Sequence, residues 1–261
     1  PISWDVGRYT GLPFAADSQR GFRDADGNSA FQLRCTEAGF FINSATFTHA
    51  APLVGEGPNV SIARDLFPPI AAFAGGASVV IDADVRIPWV HSVAPPLIEG
   101  TAQVSLGMYL RDRTTGTVLG WIVNLFDNRP AGVNGSGIES LGHDGVNAFV
   151  STPLARTDAL GRAVRFVTAP QWSCSMQHVT GWSENRHCTA IVTHANMAAA
   201  LAALRETGLR ISAEPADIDL SSFGFGGEVI VGTARVNDVS LGASVANLTL
   251  RRQTPPQFSR R

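Results

Sequence analysis

The chain has 261 residues, of which 44% are hydrophobic and 16% charged, and its formal net charge is −2. This apolar content is enough for a packed core, which excludes a wholly disordered chain. The small negative charge gives no basic field for a phosphate backbone, and the longest apolar stretch, residues 67–81, is broken by Pro and Gly. We therefore expect neither nucleic acid nor a membrane as a partner.

The first patterned segment is "DADGN", residues 24–28, followed by "FQLRCTEAGFFI", residues 31–42. The Asp-Gly pair is typical of a tight hairpin turn, and the second segment is a candidate strand. A calcium loop would need Gly and Glu at its sixth and twelfth positions, where Ser29 and Cys35 stand. The pattern thus predicts a hairpin rather than a calcium site.

The clearest alternation of apolar and polar residues lies in "ASVVIDADVRIPWV", residues 77–90. It predicts a strand with one face in a core and the other carrying charge. Residues 102–130 contain two more alternating runs, separated by "RTTGT". They predict an antiparallel hairpin with Trp121 on its buried face.

One later segment has helical spacing. In residues 194–208 the side chains of Met197, Leu201 and Leu204 recur on one face, Asn196 is placed to cap the first turn, and Gly208 to end the helix. The runs at 163–169, 208–220, 228–236 and 243–251 are further candidate strands. The glycine cluster in "SSFGFGGE", residues 221–228, is expected to form a tight turn or a bulge.

These elements predict an all-β fold. We expect a two-sheet antiparallel β-sandwich, jelly-roll-like, with one helix near residues 196–207. No repeat of fixed period and no long linker is visible, so residues 1–261 are expected to form a single domain.

The segment "WSCSMQHVTGWSENRHC", residues 172–188, contains two of the three cysteines. A bridge between Cys174 and Cys188 would close a loop of about 15 residues and stabilise the fold by roughly 3 kcal/mol. It would imply a secreted or periplasmic protein. Three reduced thiols are the alternative. The histidines of this region share no common face, so we expect no metal site and no cofactor.

Three carboxylates are the candidate catalytic residues: Asp82, Asp84 and Glu228. Asp82 and Asp84 lie two residues apart on one strand, so both side chains leave the same face roughly 7 Å apart. Carboxylates at such separations divide the acid, base and nucleophile roles of glycoside cleavage. The alternative is a solvated outer face held by salt bridges.

Aromatic, amide and guanidinium side chains suggest where a sugar would bind, because sugar rings pack on aromatic faces while their hydroxyls take hydrogen bonds from planar polar groups. "FDNR", residues 126–129, adds to this set, and Trp172 and Trp182 have polar neighbours that predict exposure. The candidate substrate-binding residues are Arg86, Tyr109, Arg111, Trp172, Trp182, Asn185 and Arg186. The first three, together with Ser105, are expected to line the same surface as Asp82 and Asp84.

In its closing strands, such as "EVIVGTARVNDVSLGASVANLTLRR", the chain resembles the jelly-roll, concanavalin A-like sandwiches of carbohydrate-active and carbohydrate-binding proteins. The resemblance implies a groove across one sheet, with a polysaccharide or oligosaccharide as the partner. The leading hypothesis is a glycoside hydrolase. A non-catalytic carbohydrate-binding module and a structural or assembly jelly-roll subunit are the alternatives, and the oligomeric state stays open.

Overall fold

A computed structural model of the chain describes residues 4–8, 14–16, 21–24, 29–33, 37–43, 59–92, 101–130, 136–169, 176–177, 181–230 and 239–255. Side chains are described within 37–42, 60–92, 101–130, 136–169, 181–229 and 239–255.

The strands are β1 Trp4–Arg8, β2 Phe14–Ala16, β3 Gly21–Asp24, β4 Ser29–Leu33, β5 Glu37–Asn43, β6 Asn59–Ile70, β7 Ser78–Ser92, β8 Thr101–Asp112, β9 Val118–Asp127, β10 Ser140–His143, β11 Asn147–Pro153, β12 Met176–Gln177, β13 Arg186–Val192, β14 Ile218–Ile230 and β15 Val239–Gln253. The α-helix, α1, spans His194–Glu206, and short 3-10 turns lie at Ala74–Gly76 and Pro215–Asp217.

The strands form two sheets, as the sequence predicts. Sheet A has the order β1-β6-β14-β8-β9-β11-β10, with β12 also pairing with β9, and sheet B has the order β13-β7-β15-β5-β4-β3-β2. Most pairs are antiparallel, but β9 pairs in parallel with both β11 and β12. The predicted β-sandwich with one helix is confirmed, with these two parallel pairs as a local exception.

A shared apolar core joins the two sheets. Ile81, Val85 and Ile87 of β7 are buried on the sheet B side, and Leu106 and Trp121 are buried on the sheet A side. The predicted hairpin of β8 and β9 is confirmed by antiparallel pairing in which Trp121 lies opposite Met108. Because alternate residues point to opposite faces, each sheet keeps a second, outer face.

Four sequence predictions about strands and turns differ from the structure. Of the candidate strand 208–220, residues 208–217 form no strand, because β14 begins only at Ile218, after the 3-10 turn Pro215–Asp217. Residues 221–228 lie inside strand β14 rather than in a turn, and the register shift of that strand falls between Leu220 and Ser222. Residues 163–169 form only isolated bridges; there the backbone N–H groups of Arg165 and Phe166 donate to the Glu139 carboxylate instead of to a strand partner. Residues 31–42 contain two strands, β4 and β5, which pair with each other.

The hairpin predicted around "DADGN" is present as the antiparallel pair of β3 and β4, with Phe22 opposite Phe31. Residues 25–28, the turn itself, lie outside the described residues.

The N-cap of helix α1 lies about one turn earlier than the sequence predicts. Thr193, not Asn196, is the N-cap: its hydroxyl accepts a hydrogen bond from the Asn196 backbone N–H, while the Asn196 side chain accepts from the Thr193 backbone N–H. Asn196 is therefore the second half of a capping box. In the described part of the chain, no helix has the length and apolar character needed to cross a membrane.

We expect Thr193→Ala to lower the free energy of unfolding by about 1 kcal/mol, because it leaves the Asn196 N–H without its cap. Urea unfolding followed by circular dichroism measures the change. Glu206→Gln, exposed in the last turn, is the control and should shift the stability by no more than about 0.5 kcal/mol. An equal effect of both variants would contradict the assigned cap.

Candidate functional site

The outer face of sheet A contains an open cavity of about 260 Å³, which we call the groove. Strands β6, β14, β8 and β9 supply its lining. Its polar side chains are those of Ser61, Gln103, Ser105, Tyr109, Asn124 and Glu228. All come from strand positions whose neighbours in sequence point into the core, so the alternation that builds the sandwich also builds the groove.

One row of side chains crosses the groove at the Glu228 end. Glu228 of β14 lies opposite Gln103 of β8, and Gln103 lies opposite Asp127 of β9. Two strand spacings therefore separate the Cα atoms of Glu228 and Asp127, about 10 Å. This row brings two carboxylates and an amide to one face.

Glu228 is the titratable side chain of the groove whose ionisation is most affected by its surroundings. Burial raises the pKa of the Glu228 carboxyl, and the positive charge of Arg129 acts against this rise. No hydrogen bond from the described residues reaches the carboxylate, so burial is not compensated by a donor. An acid in this environment holds its proton to a higher pH than a free glutamate does.

Asp127 is held by a buried ion pair. Its carboxylate accepts hydrogen bonds from the Arg129 backbone N–H at 2.9 Å, from Nε of Arg129 at 3.0 Å and from Nη2 at 2.6 Å. Nε2 of Gln103 donates to the same carboxylate at 3.0 Å. Both oxygens of Asp127 are therefore engaged, and the Arg129 charge is fixed beside the groove.

Exposed apolar side chains lie toward the other end of the groove. Tyr109, Ile122 and Phe149 are 47%, 38% and 44% exposed, although they stand on neighbouring strands of sheet A. Tyr109 is opposite Gly120 on β9, and Gly120 is opposite Phe149 on β11. The groove thus combines a polar end at Glu228 with an apolar end at Tyr109.

Asp82 and Asp84 lie on the outer face of sheet B, across the core from the groove. Asp82 accepts hydrogen bonds from the Thr189 hydroxyl at 2.7 Å and from Nε of Arg251 at 3.2 Å. A hydrogen bond from Asn247 and another from His187 hold the pKa of Asp84 below its usual value. This network matches the salt-bridged outer face that the sequence analysis gave as the alternative, and it does not include Glu228.

Arg86 shares the outer face of sheet B with the two aspartates, as expected, but the expectation that Tyr109 and Arg111 line the same surface is wrong. Arg86 lies on sheet B, where it donates to Glu37 at 2.6 Å and to Ser244 at 2.7 Å. Tyr109 and Arg111 lie on the outer face of sheet A, because the chain changes sheets between β7 and β8. Of these three, Tyr109 is in the groove.

The predicted exposure of Trp182 is also wrong. Its indole is 5% exposed, packs edge-on against Phe126, and donates from Nε1 to the Val85 carbonyl at 2.7 Å. The Arg186 guanidinium lies 4.8 Å above the ring, and Asn185 is exposed. Polar neighbours mislead here, because Ser183, Glu184 and Asn185 are exposed while the indole beside them packs inward against Phe126.

Trp172 and Cys174 lie outside the described residues. Cys188 is buried in the core, with its sulfur 3.5 Å from the Arg186 carbonyl oxygen. The bridge between Cys174 and Cys188 and the secreted or periplasmic location that depends on it stay predictions. Among the described side chains, no group of three or more His, Cys, Asp or Glu is arranged to hold a metal ion.

Gln103 and Asn124 of the groove were not predicted from the sequence, whereas Ser105 was expected to line a surface with Tyr109, although on the aspartate face. These residues occupy the polar positions of β8 and β9, whose apolar positions predicted the hairpin. The same alternation could therefore have placed them on the outer face. Only the pairing of β8 with β14 brings Gln103 next to Glu228. That pairing joins segments more than 100 residues apart, and local patterns do not encode it.

Several solved structures are similar to this chain. One is a thermostable cellulase derived from the Cel12A cellulase of Rhodothermus marinus, at 12% identity and a TM-score of 0.42, covering 96% of this chain and 100% of that one. Another is the family 11 xylanase of Neocallimastix patriciarum, at 10% identity and a TM-score of 0.37, covering 95% and 100%. A mutant of ENZbleach xylanase matches at 8% identity and a TM-score of 0.40, covering 98% and 93%.

The resemblance to carbohydrate-active proteins expected from the sequence is confirmed to this extent. With identities of 12% or less and TM-scores below 0.5, the likeness supports no assignment of activity. No protein-family model matches the sequence, and no curated protein matches it at a significant level.

Asp127→Asn should lower the free energy of unfolding by about 3 kcal/mol, because it removes the carboxylate charge that is paired with buried Arg129. Urea unfolding at neutral pH measures the loss. Asp82→Asn is the matched control on the other sheet, where exposed partners limit the change to about 1 kcal/mol or less. Similar losses in both variants would contradict the buried pair.

Glu228→Gln should raise Tm at pH 7, and the gain should shrink as the pH falls toward about 4. The folded-state pKa of Glu228 lies above the ordinary value of 4.5, so folding favours the protonated form and loses stability as pH rises through that pKa. Glutamine is neutral throughout and avoids this loss. Thermal melts from pH 4 to pH 8 measure the Tm gain of the variant over the wild type, with exposed Glu184→Gln as the control. A Tm gain that does not change with pH would contradict the raised pKa of Glu228.

Proposed function

We propose that the groove on sheet A binds a carbohydrate chain and that Glu228 donates the proton to the leaving oxygen in glycoside hydrolysis. The observation that carries this proposal is the position of Glu228 at the polar end of an open groove, where burial raises the pKa of its carboxyl and no described residue donates a hydrogen bond to it.

The lining of the groove favours a sugar over other small molecules. Ser61, Ser105, Asn124 and Gln103 offer hydroxyl and amide groups that both donate and accept, as sugar hydroxyls require. Tyr109 adds an exposed aromatic face. No cluster of basic side chains lines the described groove, so a phosphate group is poorly matched.

Glu228 suits the acid role for a physical reason. A general acid must be protonated before reaction and must lose its proton in the transition state, and a raised pKa keeps it protonated closer to neutral pH. Glu228 would give its proton to the glycosidic oxygen as the bond between that oxygen and the anomeric carbon breaks. Water would then add its hydroxyl to the anomeric carbon, and the proton that it releases would restore the Glu228 carboxyl.

A non-catalytic carbohydrate-binding protein is the second candidate. The observation in its favour concerns Asp127, the other carboxylate of the row, whose oxygens already accept hydrogen bonds from Arg129 and Gln103. A carboxylate engaged in this way is a poor nucleophile or base. Glycan binding without cleavage would then be the activity of the groove.

Incubation of the protein with a panel of soluble cellulose, xylan, mannan and starch derivatives, followed by reducing-sugar assay, tests the proposal. We expect a product from at least one polymer and a loss of at least 100-fold in rate for Glu228→Gln, with binding retained. Asp84→Asn, on the opposite face, should keep wild-type activity.

Each other result has a clear meaning. Glycan binding by affinity electrophoresis without any product would support the binding protein instead. Absence of both binding and product across the panel would overturn the carbohydrate proposal. Equal activity of Glu228→Gln and the wild type would remove Glu228 from the acid role.

A further inference from the structure

We propose that Gly107 and Gly120 form the floor of a saccharide subsite at the apolar end of the groove, where one sugar ring rests directly on the backbone of β8 and β9. This inference depends on the proposed function and deepens it. The ligand would extend from this subsite to Glu228, so it would be a chain of sugars rather than a single sugar.

Glycine inside a strand usually has a structural cause, and two glycines of the groove have one. A Cβ on Gly224 would overlap the Ile62 carbonyl oxygen, and one on Gly226 would lie 2.7 Å from the Val60 carbonyl oxygen. Strand β6 approaches β14 too closely for any side chain there. The packing of the sheet therefore requires these two glycines.

No close approach of a neighbouring strand explains Gly107 and Gly120. A Cβ on Gly107 would come no closer than 3.9 Å to the Trp121 carbonyl oxygen, and one on Gly120 no closer than 3.9 Å to that of Ala148. Neither residue has a positive φ. Glycine in a strand interior is less stable than alanine there, and close approach of a ligand to the backbone is a recognised reason to find it.

The neighbours of the two glycines form walls around this floor. Gly107 lies opposite Ile122, and Gly120 lies opposite Tyr109. Each glycine is therefore flanked by a large side chain across the strand pair and by another two residues along its own strand. Tyr109 and Ile122 are both substantially exposed. A flat ring with apolar C–H faces fits between two such walls on a floor without side chains.

The polar end of the same cavity gives independent support for a ligand. Glu228 has no hydrogen bond from the described residues although burial raises its pKa, and it lines the cavity together with Gly107 and Gly120. Gly107 is opposite Gly224 on β14, four residues before Glu228. The subsite and the carboxyl are thus about 13 Å apart along the strand, too far for one sugar ring to contact both.

Variants that place side chains on the floor test the subsite: Gly107→Ala, Gly107→Val, Gly120→Ala and Gly120→Val. Ala246→Val is the matched control, on the outer face of sheet B opposite Asp84. Isothermal titration with the oligosaccharide series of whichever polymer the wild type binds, from the disaccharide to the hexasaccharide, measures affinity. Every protein in the series carries Glu228→Gln in this titration, so that the ligand is bound without being cleaved. Thermal melts of each variant show that it is folded.

We expect the alanine variants to melt at or above the wild-type Tm and to bind the hexasaccharide at least tenfold more weakly, with a larger loss for valine. The disaccharide, too short to span the groove, should lose affinity much less, and Ala246→Val should change neither. A hexasaccharide affinity unchanged in folded alanine and valine variants would overturn the subsite while leaving the proposed function intact. A wild type that binds no glycan would instead remove the proposed function.

Discussion

Burial of one shared apolar core between two sheets is the constraint on which the rest of this structure depends. Only alternate side chains of a strand reach that core, so each sheet must present its remaining side chains outward. The outward side chains of β7 consequently fall on one outer face, and those of β8, β9 and β14 fall on the other. The three candidate carboxylates are divided between these faces, with Asp82 and Asp84 on sheet B and Glu228 on sheet A.

The two outer faces differ in how their carboxylates are satisfied. On sheet B, Asp82 and Asp84 each have cationic or amide partners, so their charges are compensated at the surface. On sheet A, Glu228 is largely buried and receives no hydrogen bond from the described residues, and Gly107 and Gly120 of the same groove leave room above the backbone. A carboxylate with hydrogen-bond partners stabilises the surface of the fold. A buried carboxyl beside an open groove, with no donor among the described residues, has a perturbed pKa and is a candidate for proton transfer.

The sequence predicts the parts of this structure that depend on local alternation and fails where pairing is distant. Strand β7, the hairpin of β8 and β9, the helix and the buried position of Trp121 follow from apolar spacing alone. The assignment of β7 and β8 to different sheets does not, because alternation gives the face of a residue but not its sheet. The predicted meeting of Asp82 with Tyr109 failed for this reason, and Trp182 was misjudged because its polar neighbours point the other way.

Through Arg129, the pKa of Glu228 depends on Asp127, although these two carboxylates lie two strands apart. A free guanidinium beside Glu228 would stabilise its anion and cancel the effect of burial. Asp127 takes two side-chain hydrogen bonds from Arg129 and a further one from Gln103, so much of that positive charge is neutralised before it reaches Glu228. Burial then outweighs the Arg129 charge as an influence on the Glu228 proton. The ion pair that stabilises the end of β9 thus also sets the electrostatic conditions for an acid two strands away.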